Sequence, residues 1–327
     1  MEAPSKIIQA IYKEAGKSDE IQTVTDWLTT GFIPLNKNMS GNNNDGFPVG
    51  RITEVAGMES TGKTLLATMG MVNTQHKGGL AIFVDYEHSF DVRFAQKLGL
   101  ITDPNHWIYW QPTTAEDGFK KVDFVCEIMQ KESYDKPVTV VMDSVASMLT
   151  EEEMKAGHEP NMRTRLSLAS CLSNSLKQMV PKINKANIAL ILLNQLRTNP
   201  TIKFGDADQS AGGNALKFYA SCRIRLRKSG TVKDDEDEKV IIGEQVTAKL
   251  VKNKVGGTPF SECKWVTGFG LGINLPISHI MALEEAGKFG DTKGWIEWEG
   301  KKMRRKQLIE LVSSNPAEYD KMLSLFE

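Results

Sequence analysis

The eight residues from Gly57 to Thr64, Gly-Met-Glu-Ser-Thr-Gly-Lys-Thr, constrain the fold of this chain more than any other segment. They match the pattern Gly-x-x-x-x-Gly-Lys-(Ser/Thr), in which backbone N–H groups and a helix N-terminus wrap a polyphosphate. The pattern requires a strand before it and a helix after it. Residues 52–56 and 65–69 have the apolar composition of that strand and that helix. The alternative, a chance glycine-rich turn, does not explain this order of elements.

Two side chains of this segment have defined tasks in such loops. Lys63 reaches the β- and γ-phosphates of a bound nucleotide, and the hydroxyl of Thr64 holds Mg²⁺. The other six positions contribute backbone to the phosphate cradle: Gly57, Met58, Glu59, Ser60, Thr61 and Gly62. The segment therefore predicts a site for a magnesium-bound nucleotide.

Bulk composition indicates no partner, but the charges are unevenly placed. The chain has 327 residues, enough for one large domain with appendages or for two domains. Its 40% apolar and 25% charged residues are ordinary for a globular protein, and its net charge is −1. Residues 161–227, however, contain eleven Lys and Arg against Asp206 and Asp208 alone. Such a basic region is typical of a surface that binds a polyanion.

Neither the cysteines nor the apolar runs indicate secretion or a membrane. The four cysteines, at positions 126, 171, 222 and 263, form no Cys-x-x-Cys pair. This spacing favours free thiols in a reducing compartment over a disulfide framework or a zinc site. No apolar run approaches ~18 residues, and the N-terminus lacks the basic-then-apolar form of a secretory signal. We expect a cytoplasmic protein without a membrane partner.

Short apolar segments alternate with helical segments through the middle of the chain. The sequence predicts strands at residues 52–56, 80–85, 107–110, 138–143 and 188–193, and helices near 64–76, 91–98, 115–132 and 161–186. Continuous apolar strands separated by helices indicate an α/β fold whose mostly parallel, twisted sheet is covered by helices on both faces. In such sheets ligands bind beyond the carboxyl ends of the strands.

The flanking regions have a different character. Ile7, Ile11 and Ala15 recur at helical spacing and predict a helix over residues 4–16 that ends at Gly16. The Asn- and Gly-rich residues 36–50 predict a loop. Further strands are predicted at 222–227, 241–251 and 262–266, with the acidic run 234–238 as a solvated hairpin turn, and a small Trp-containing domain follows from about 271.

Polar side chains follow the predicted strands at the edge where the phosphate loop lies. Asp143 ends one apolar strand, the position at which nucleotide hydrolases place the acid that holds Mg²⁺ and its waters. Glu87, two residues past another strand, can orient or deprotonate a water that attacks the γ-phosphate, although Asp85 is a competing base and a solvated loop residue is the simpler alternative. Gln195 follows the fifth strand and could sense the γ-phosphate, or be an ordinary loop amide.

Two further sets of basic residues could bind an anion or could simply be exposed to solvent. The loop 197–212 carries Arg197 and Lys203 beside Phe204 and glycines, a combination typical of single-stranded nucleic-acid binding, although a disordered surface loop has the same composition. Lys252 and Lys254 lie two residues apart in an alternating strand, so both face one side. Two like charges together gain from an anion, but a solvated sheet face would also place them so.

Taken together and in this order, six segments resemble the signature segments of bacterial RecA recombinases. They are residues 57–64, 85–88 (Asp-Tyr-Glu-His), 141–145 (Val-Met-Asp-Ser-Val), 194–197 (Asn-Gln-Leu-Arg), 212–221 (Gly-Gly-Asn-Ala-Leu-Lys-Phe-Tyr-Ala-Ser) and 251–254 (Val-Lys-Asn-Lys). The resemblance covers roughly residues 47–327. The long run from 212 separates this family from other ATPases with the same core fold, such as ring helicases.

The resemblance implies a role for each of these side chains. Lys63 and Thr64 would bind ATP and Mg²⁺ together with Asp143, Glu87 would be the catalytic base, and Gln195 would report the γ-phosphate to the DNA loops. Phe94 stands where the family has a tyrosine that stacks on adenine. Lys252 and Lys254 would reach ATP held by the adjacent subunit. The DNA-binding residues would be Met162, Arg163, Arg165, Arg197, Lys203, Phe204, Gly212 and Gly213, in loops near 155–163 and 196–210.

Some features depart from the family pattern. Arg163 and Arg165 replace small or apolar residues, so the first loop would grip the DNA backbone more strongly. The chain ends at Glu327 without a long acidic tail, and residues 17–46 are unlike their bacterial counterparts. These differences resemble those of a bacteriophage-encoded or otherwise divergent member of the family.

The implied activity is ATP-dependent DNA strand exchange. Subunits would assemble head to tail into a helical filament on single-stranded DNA and pair it with a homologous duplex. We expect residues 1–46 to form an N-terminal helix and linker for subunit contact, 47–270 the ATPase and DNA-binding core, and 271–327 a small C-terminal α+β domain. The alternatives are a ring helicase or loader, and a DNA-binding modulator of filaments that hydrolyses ATP negligibly, which intact Lys63, Asp143 and Glu87 disfavour.

Overall fold

The computed structural model describes residues 6–16, 23–157, 162–198, 208–233, 240–289 and 295–327. The helices are α1 Lys6–Ala15, α2 Ile33–Ser40, α3 Lys63–His76, α4 Val92–Lys97, α5 Ala115–Lys131, α6 Glu151–Ala156, α7 Met162–Lys185, α8 Ala215–Tyr219, α9 Leu275–Glu285, α10 Arg305–Ser314 and α11 Pro316–Ser324, with a 3₁₀ turn at Val145–Ser147. The strands are β1 Trp27–Leu28, β2 Phe47–Pro48, β3 Ile52–Gly57, β4 Leu80–Asp85, β5 Trp107–Trp110, β6 Val138–Asp143, β7 Ile188–Thr198, β8 Asp208–Ser210, β9 Cys222–Lys233, β10 Ile241–Asn253, β11 Glu262–Gly268, β12 Gly272–Ile273, β13 Trp295–Trp298 and β14 Lys301–Arg304.

A large mixed sheet forms the centre of the molecule, in the strand order β12-β11-β10-β9-β3-β7-β6-β4-β5. From β9 to β5 each strand is parallel to its neighbours. The strands β10, β11 and β12 extend it in antiparallel fashion, and β8 pairs antiparallel with the end of β7. The α/β fold predicted from the alternation of apolar strands and helices is therefore confirmed.

Helices cover both faces of this sheet because successive strand residues point to opposite sides. On one face Phe83 and Ile191 pack with Leu66 and Met71 of α3. On the other face their neighbours Ile82 and Leu190 pack with side chains of α5 and α7, among them Phe119, Leu172 and Leu176. Each such buried side chain stabilises the fold by about 1.5–3 kcal/mol. The five predicted parallel strands are all present, but β7 continues to Thr198, past its predicted end at residue 193, so Gln195 lies within the strand and not after it.

The prediction of a loop over residues 36–50 was wrong. This segment contains most of α2 and the short strand β2. Leu35 and Met39 are fully buried one helical turn apart, Pro34 occupies the first turn, and Gly41 ends the helix in the left-handed region at φ 93°. Its asparagines are structural: buried Asn36 accepts hydrogen bonds from the backbone N–H of Thr30, at 2.9 Å, and from its hydroxyl. The high asparagine content predicted a loop, although the segment forms a helix with a buried face.

The C-terminal residues have a core of their own. Trp298 of β13, Leu308 of α10 and Met322 of α11 pack with Ile280 and Leu283 of α9, forming a small α+β part. The first turn of α9 is instead tied to the central sheet, because Ser278 Oγ accepts a hydrogen bond from the backbone N–H of Val266 at 2.9 Å. The boundaries at residues 46 and 270 stay predictions. In the described part of the chain, no helix is both long and apolar enough to cross a membrane.

Candidate nucleotide site

The loop between β3 and α3 favours glycine at Gly62 through its backbone conformation and requires it at Gly57 for lack of space. Gly62 has φ 85°, in the left-handed region, and immediately precedes α3. At Gly57 a Cβ would lie 2.5 Å from Thr61 Oγ1 and 2.8 Å from the carbonyl oxygen of Leu226, which is too close for any side chain. The strand, loop and helix therefore follow one another as the sequence pattern requires, with the N-terminus of α3 open to an anion.

The ammonium group of Lys63 points back into this loop. Its Nζ donates hydrogen bonds to the carbonyl oxygens of Gly57, at 3.1 Å, and Met58, at 2.9 Å. Burial lowers the pKa of Lys63 from its usual value, while the carboxylates of Asp143, Glu87 and Glu59 oppose that shift. A buried cation held within a cradle of backbone is suited to binding a polyphosphate.

Thr64 of α3 and Asp143 at the end of β6 come together to form the second part of the site. Thr64 Oγ1 donates to Asp143 Oδ2 at 2.8 Å, although 79 positions separate the two residues. Burial raises the pKa of Asp143 to about 6, and the nearby carboxylates of Glu87 and Asp85 add to the shift. A divalent cation would favour the charged carboxylate.

The Thr64 and Asp143 pair is better suited to Mg²⁺ than to a metal ion whose ligands all come from the protein. Among the described residues there is no group of three His, Cys, Asp or Glu side chains that could hold a metal ion. Mg²⁺ is usually held by one or two protein oxygens together with phosphates and waters. A hydroxyl and a carboxylate beside a phosphate loop, the Thr64 and Asp143 pair, match that donor set.

Asp85, the competing base, is engaged in structural hydrogen bonds. Asp85 is 1% exposed, and the hydroxyl of Tyr109 donates to its Oδ2 at 2.9 Å. Burial is the main reason why the pKa of Tyr109 is raised to about 12, and this hydrogen bond adds to the shift. Four successive backbone N–H groups also donate to its two oxygens, at 2.8–3.2 Å: those of Glu87, His88, Ser89 and Phe90. Asp85 therefore shapes the loop that carries Glu87, and this geometry disfavours it as a base.

Glu87 lies where the carboxyl ends of β4, β6 and β7 meet. Gln195 of β7 donates from Nε2 to Glu87 Oε1 at 2.8 Å. Ser144 and Ser147, which follow β6, donate to the same oxygen. The sequence predicted Glu87 and Gln195 as separate candidates, and the structure joins them directly. It did not predict the two serines: Ser144 was marked only by its place after Asp143, and Ser147 by nothing.

The sequence also did not predict a buried ion pair beside this group. Glu54 of β3, 1% exposed, pairs with Arg223 of β9. The side chain of Asn194 donates to Glu54 Oε1 at 3.0 Å and to the carbonyl oxygen of Ala211 at 3.1 Å. Asn194 lies in β7 beside Gln195, and Ala211 directly follows β8, so this network ties the turn at Gly212 to the sheet.

The nucleic-acid residues are only partly described. Lys203, Phe204 and the acidic run 234–238 lie outside the described residues. The backbone places Met162, Arg163 and Arg165 in the start of α7, and Arg197 near the end of β7.

The two glycines after β8 have a packing role. Gly212 and Gly213 have φ of 82° and 65°, and a Cβ at Gly212 would lie 2.3 Å from Leu172 Cδ1. They form a turn pressed against α7. Close packing therefore explains these glycines without any DNA contact.

The remaining candidates lie on separate elements. Phe94 is half-buried in α4, where its backbone N–H donates to Asp91, the N-cap, at 2.9 Å. Lys252 Nζ donates to the carbonyl oxygens of Lys217 and Phe218, at 2.7 and 3.0 Å, near the C-terminus of α8. Lys254 follows the end of β10, so the strand alternation predicted for the lysine pair does not extend to it. Burial, then Lys254 and Arg223, lower the pKa of Lys252.

Comparison with known proteins places this fold and site in a family. The family model of the RecA N-terminal domain matches residues 8–274, so the match begins well before residue 47 and ends before most of the C-terminal part. The chain therefore belongs to the RecA family.

Among its relatives is Protein RecA of Wolbachia sp. subsp. Brugia malayi, 38% identical over 250 residues. That match covers 76% of this chain but 65% of the relative, just under two thirds of its length. Protein RecA of Francisella philomiragia is 33% identical over 279 residues, 85% of this chain and 74% of the relative.

Proposed function

We propose that this chain is an ATP-dependent DNA strand-exchange recombinase, which hydrolyses ATP when bound to single-stranded DNA and pairs that strand with a homologous duplex. The observation that carries the proposal is the hydrogen bond from Gln195 to Glu87. Gln195 lies in β7 two residues before Arg197, which is near the end of that strand, and the carboxylate of Glu87 is close enough to Lys63 of the phosphate loop to oppose the lowering of its pKa. A direct contact between them gives a physical route by which nucleotide and DNA affect one another.

Each side chain of the nucleotide site has a role in this proposal. Lys63 and the backbone of residues 57–64 bind the phosphates of ATP, and Phe94 stacks on adenine. Thr64 and Asp143 hold Mg²⁺, which when bound neutralises charge on the β- and γ-phosphates. Glu87 accepts a proton from the attacking water, and Gln195 donates to the γ-phosphate.

We assign the DNA surface to the basic residues at the start of α7, near the end of β7 and in the segment that follows β7. Arg163, Arg165, Arg197 and Lys203 contact phosphates, while Phe204 stacks on bases. Met162 and the turn at Gly212 and Gly213 border this surface. The local excess of Lys and Arg in residues 161–227 supports the assignment, because the net charge of the whole chain is only −1.

A helical filament is the proposed assembly. Helix α1 exposes an apolar face, with Ile7 72% and Ile11 54% exposed, and such a face is stabilised when another surface covers it. A second copy in head-to-tail contact would cover it, and such contacts continue into a filament. Lys252 and Lys254 then reach ATP bound by the neighbouring subunit. In this proposal residues 1–46 serve subunit contact, 47–270 form the core, and 271–327 form the C-terminal domain.

The decisive experiment is a phosphate-release assay with and without single-stranded DNA, on the parent and on Glu87→Gln. We expect DNA to stimulate hydrolysis by the parent. In Glu87→Gln hydrolysis should fall by about 10²-fold or more, the usual scale for a general base, while binding of a fluorescent ATP analogue is kept. Hydrolysis that DNA leaves unchanged would contradict the proposed function, and closed rings on DNA in electron micrographs would favour a helicase instead.

A further inference from the structure

The carboxylate of Glu87 is held by two groups of donors. Gln195 Nε2 donates to Oε1 at 2.8 Å. The hydroxyls of Ser144 and Ser147 donate to the same oxygen, that of Ser147 at 3.3 Å. The two hydroxyls lie 3.3 Å from each other. All three donors that the described residues supply reach Oε1, which leaves Oε2 to meet a water molecule.

Gln195 and the two serines differ in whether ATP would draw them away from Glu87. A glutamine that donates to a γ-phosphate has to turn its amide toward ATP, whereas here the amide of Gln195 donates to Glu87. When it turns away, the flexible Glu87 side chain would regain rotamer freedom unless another group kept it in place. The serines can do so because their backbone is anchored: Ser144 is fully buried, and Val145 packs in the core between the sheet and α7.

We propose that Ser144 and Ser147 are positioning residues for ATP hydrolysis. They hold Oε1 of Glu87 and so keep Oε2 directed at the attacking water after Gln195 has moved to the γ-phosphate. This inference rests on the assignment of Glu87 as the base in the proposed function. A base misplaced by about 1 Å can cost up to 10²-fold in rate, so two hydroxyls that fix one oxygen have a measurable effect.

The test compares Ser147→Val with Ser147→Thr, two side chains of nearly equal shape that differ in the hydroxyl. Steady-state ATP hydrolysis is measured in saturating single-stranded DNA, and affinity is measured with a fluorescent ATP analogue. For Ser147→Val we expect kcat to fall about 10-fold while KM and affinity stay within about twofold, because only the chemical step is weakened. Ser147→Thr should stay within about twofold of the parent in kcat. Ser147→Ala should match Ser147→Val, and it carries the test if the valine variant does not fold.

The outcomes separate this inference from the proposed function. Parental kcat in Ser144→Ala as well as in Ser147→Val and Ser147→Ala, with Glu87→Gln inactive, would overturn the positioning role and leave Glu87 as the base. Equal losses in the threonine and valine variants would indicate a packing effect and would also overturn it. If Glu87→Gln itself hydrolyses ATP normally, the base assignment fails, and the inference fails with it.

Discussion

At the scale of single residues, two carboxylates at the end of β4 have separate roles because their surroundings differ. Asp85 is buried and accepts hydrogen bonds from four backbone N–H groups and one phenol. Glu87 is half-buried and presents one oxygen without a described donor. The first arrangement stabilises a loop, and the second is available for chemistry.

Replacing Asp85 by Asn should therefore lower stability. The new amide nitrogen has the shape of the lost oxygen but cannot accept a hydrogen bond, so buried N–H groups lose their acceptor. We expect the free energy of unfolding to fall by about 3 kcal/mol, measured by urea unfolding followed by circular dichroism.

Tyr109→Phe is the matched control for this change, because it removes only one donor to Asp85 and should cost about 1 kcal/mol. Unchanged unfolding of Asp85→Asn, together with a large loss of ATP hydrolysis, would show that Asp85 takes part in the chemistry after all.

At the scale of helices and strands, His279 links three helices through its imidazole. It belongs to α9, accepts a hydrogen bond at Nε2 from the backbone N–H of Ile33 at 3.2 Å, and lies 2.8 Å from the hydroxyl of Tyr319 at Nδ1. Its ring stacks on Phe32 with centroids 5.3 Å apart. Because α2, α9 and α11 meet at this ring, its charge state affects how the C-terminal part joins the core.

Burial lowers the pKa of His279 to about 4, against a usual value near 6.5. The folded state therefore keeps the imidazole neutral while the unfolded state binds a proton. Stability from this site is complete above about pH 6.5, falls as the pH drops toward about 4, and then levels off. The full loss is on the order of 3 kcal/mol.

The check is urea unfolding of His279→Gln and the parent at several pH values. We expect the variant to lose less stability than the parent between pH 6.5 and 4. Replacing the exposed His76 by Gln should leave the pH dependence as it is in the parent. Parallel curves for the parent and His279→Gln would rule out this histidine as a source of the acid sensitivity.

At the scale of the whole molecule, the exposed face of α1 leads to a prediction about assembly. Ile11 is 54% exposed in the single chain, so Ile11→Glu should leave the urea unfolding of the chain unchanged. If a neighbouring subunit covers this face, a buried carboxylate there should abolish filaments on single-stranded DNA, because it would be desolvated without a partner. Electron microscopy and light scattering in the presence of ATP measure the outcome.

Lys13→Glu is the control, since it introduces the same carboxylate into the same helix at a position other than Ile7 and Ile11. Filaments as long and as frequent for Ile11→Glu as for the parent would mean that α1 is not a subunit contact.

Much of the fold could be predicted from the sequence because its signals are local. The phosphate loop depends on adjacent backbone positions, and the parallel strands are continuous apolar runs, so both were found at their observed places. Residues 36–50 were not, because burial of Leu35 and Met39 outweighed a composition typical of loops. Local preference decides an element only where tertiary packing does not oppose it.

The contacts within the candidate site were decided by the tertiary structure. The sequence by itself determined the phosphate loop, the alternation of strands and helices, and the family; it also singled out Glu87, Asp143 and Gln195. Only the folded sheet brings Gln195 to Glu87, 108 positions apart, and Arg223 to Glu54, 169 positions apart. The role of a carboxylate depends on which hydrogen-bond donors reach it in the folded chain. The order of the strands in the sheet decides which donors lie next to it, and that order differs from the order of the strands along the chain.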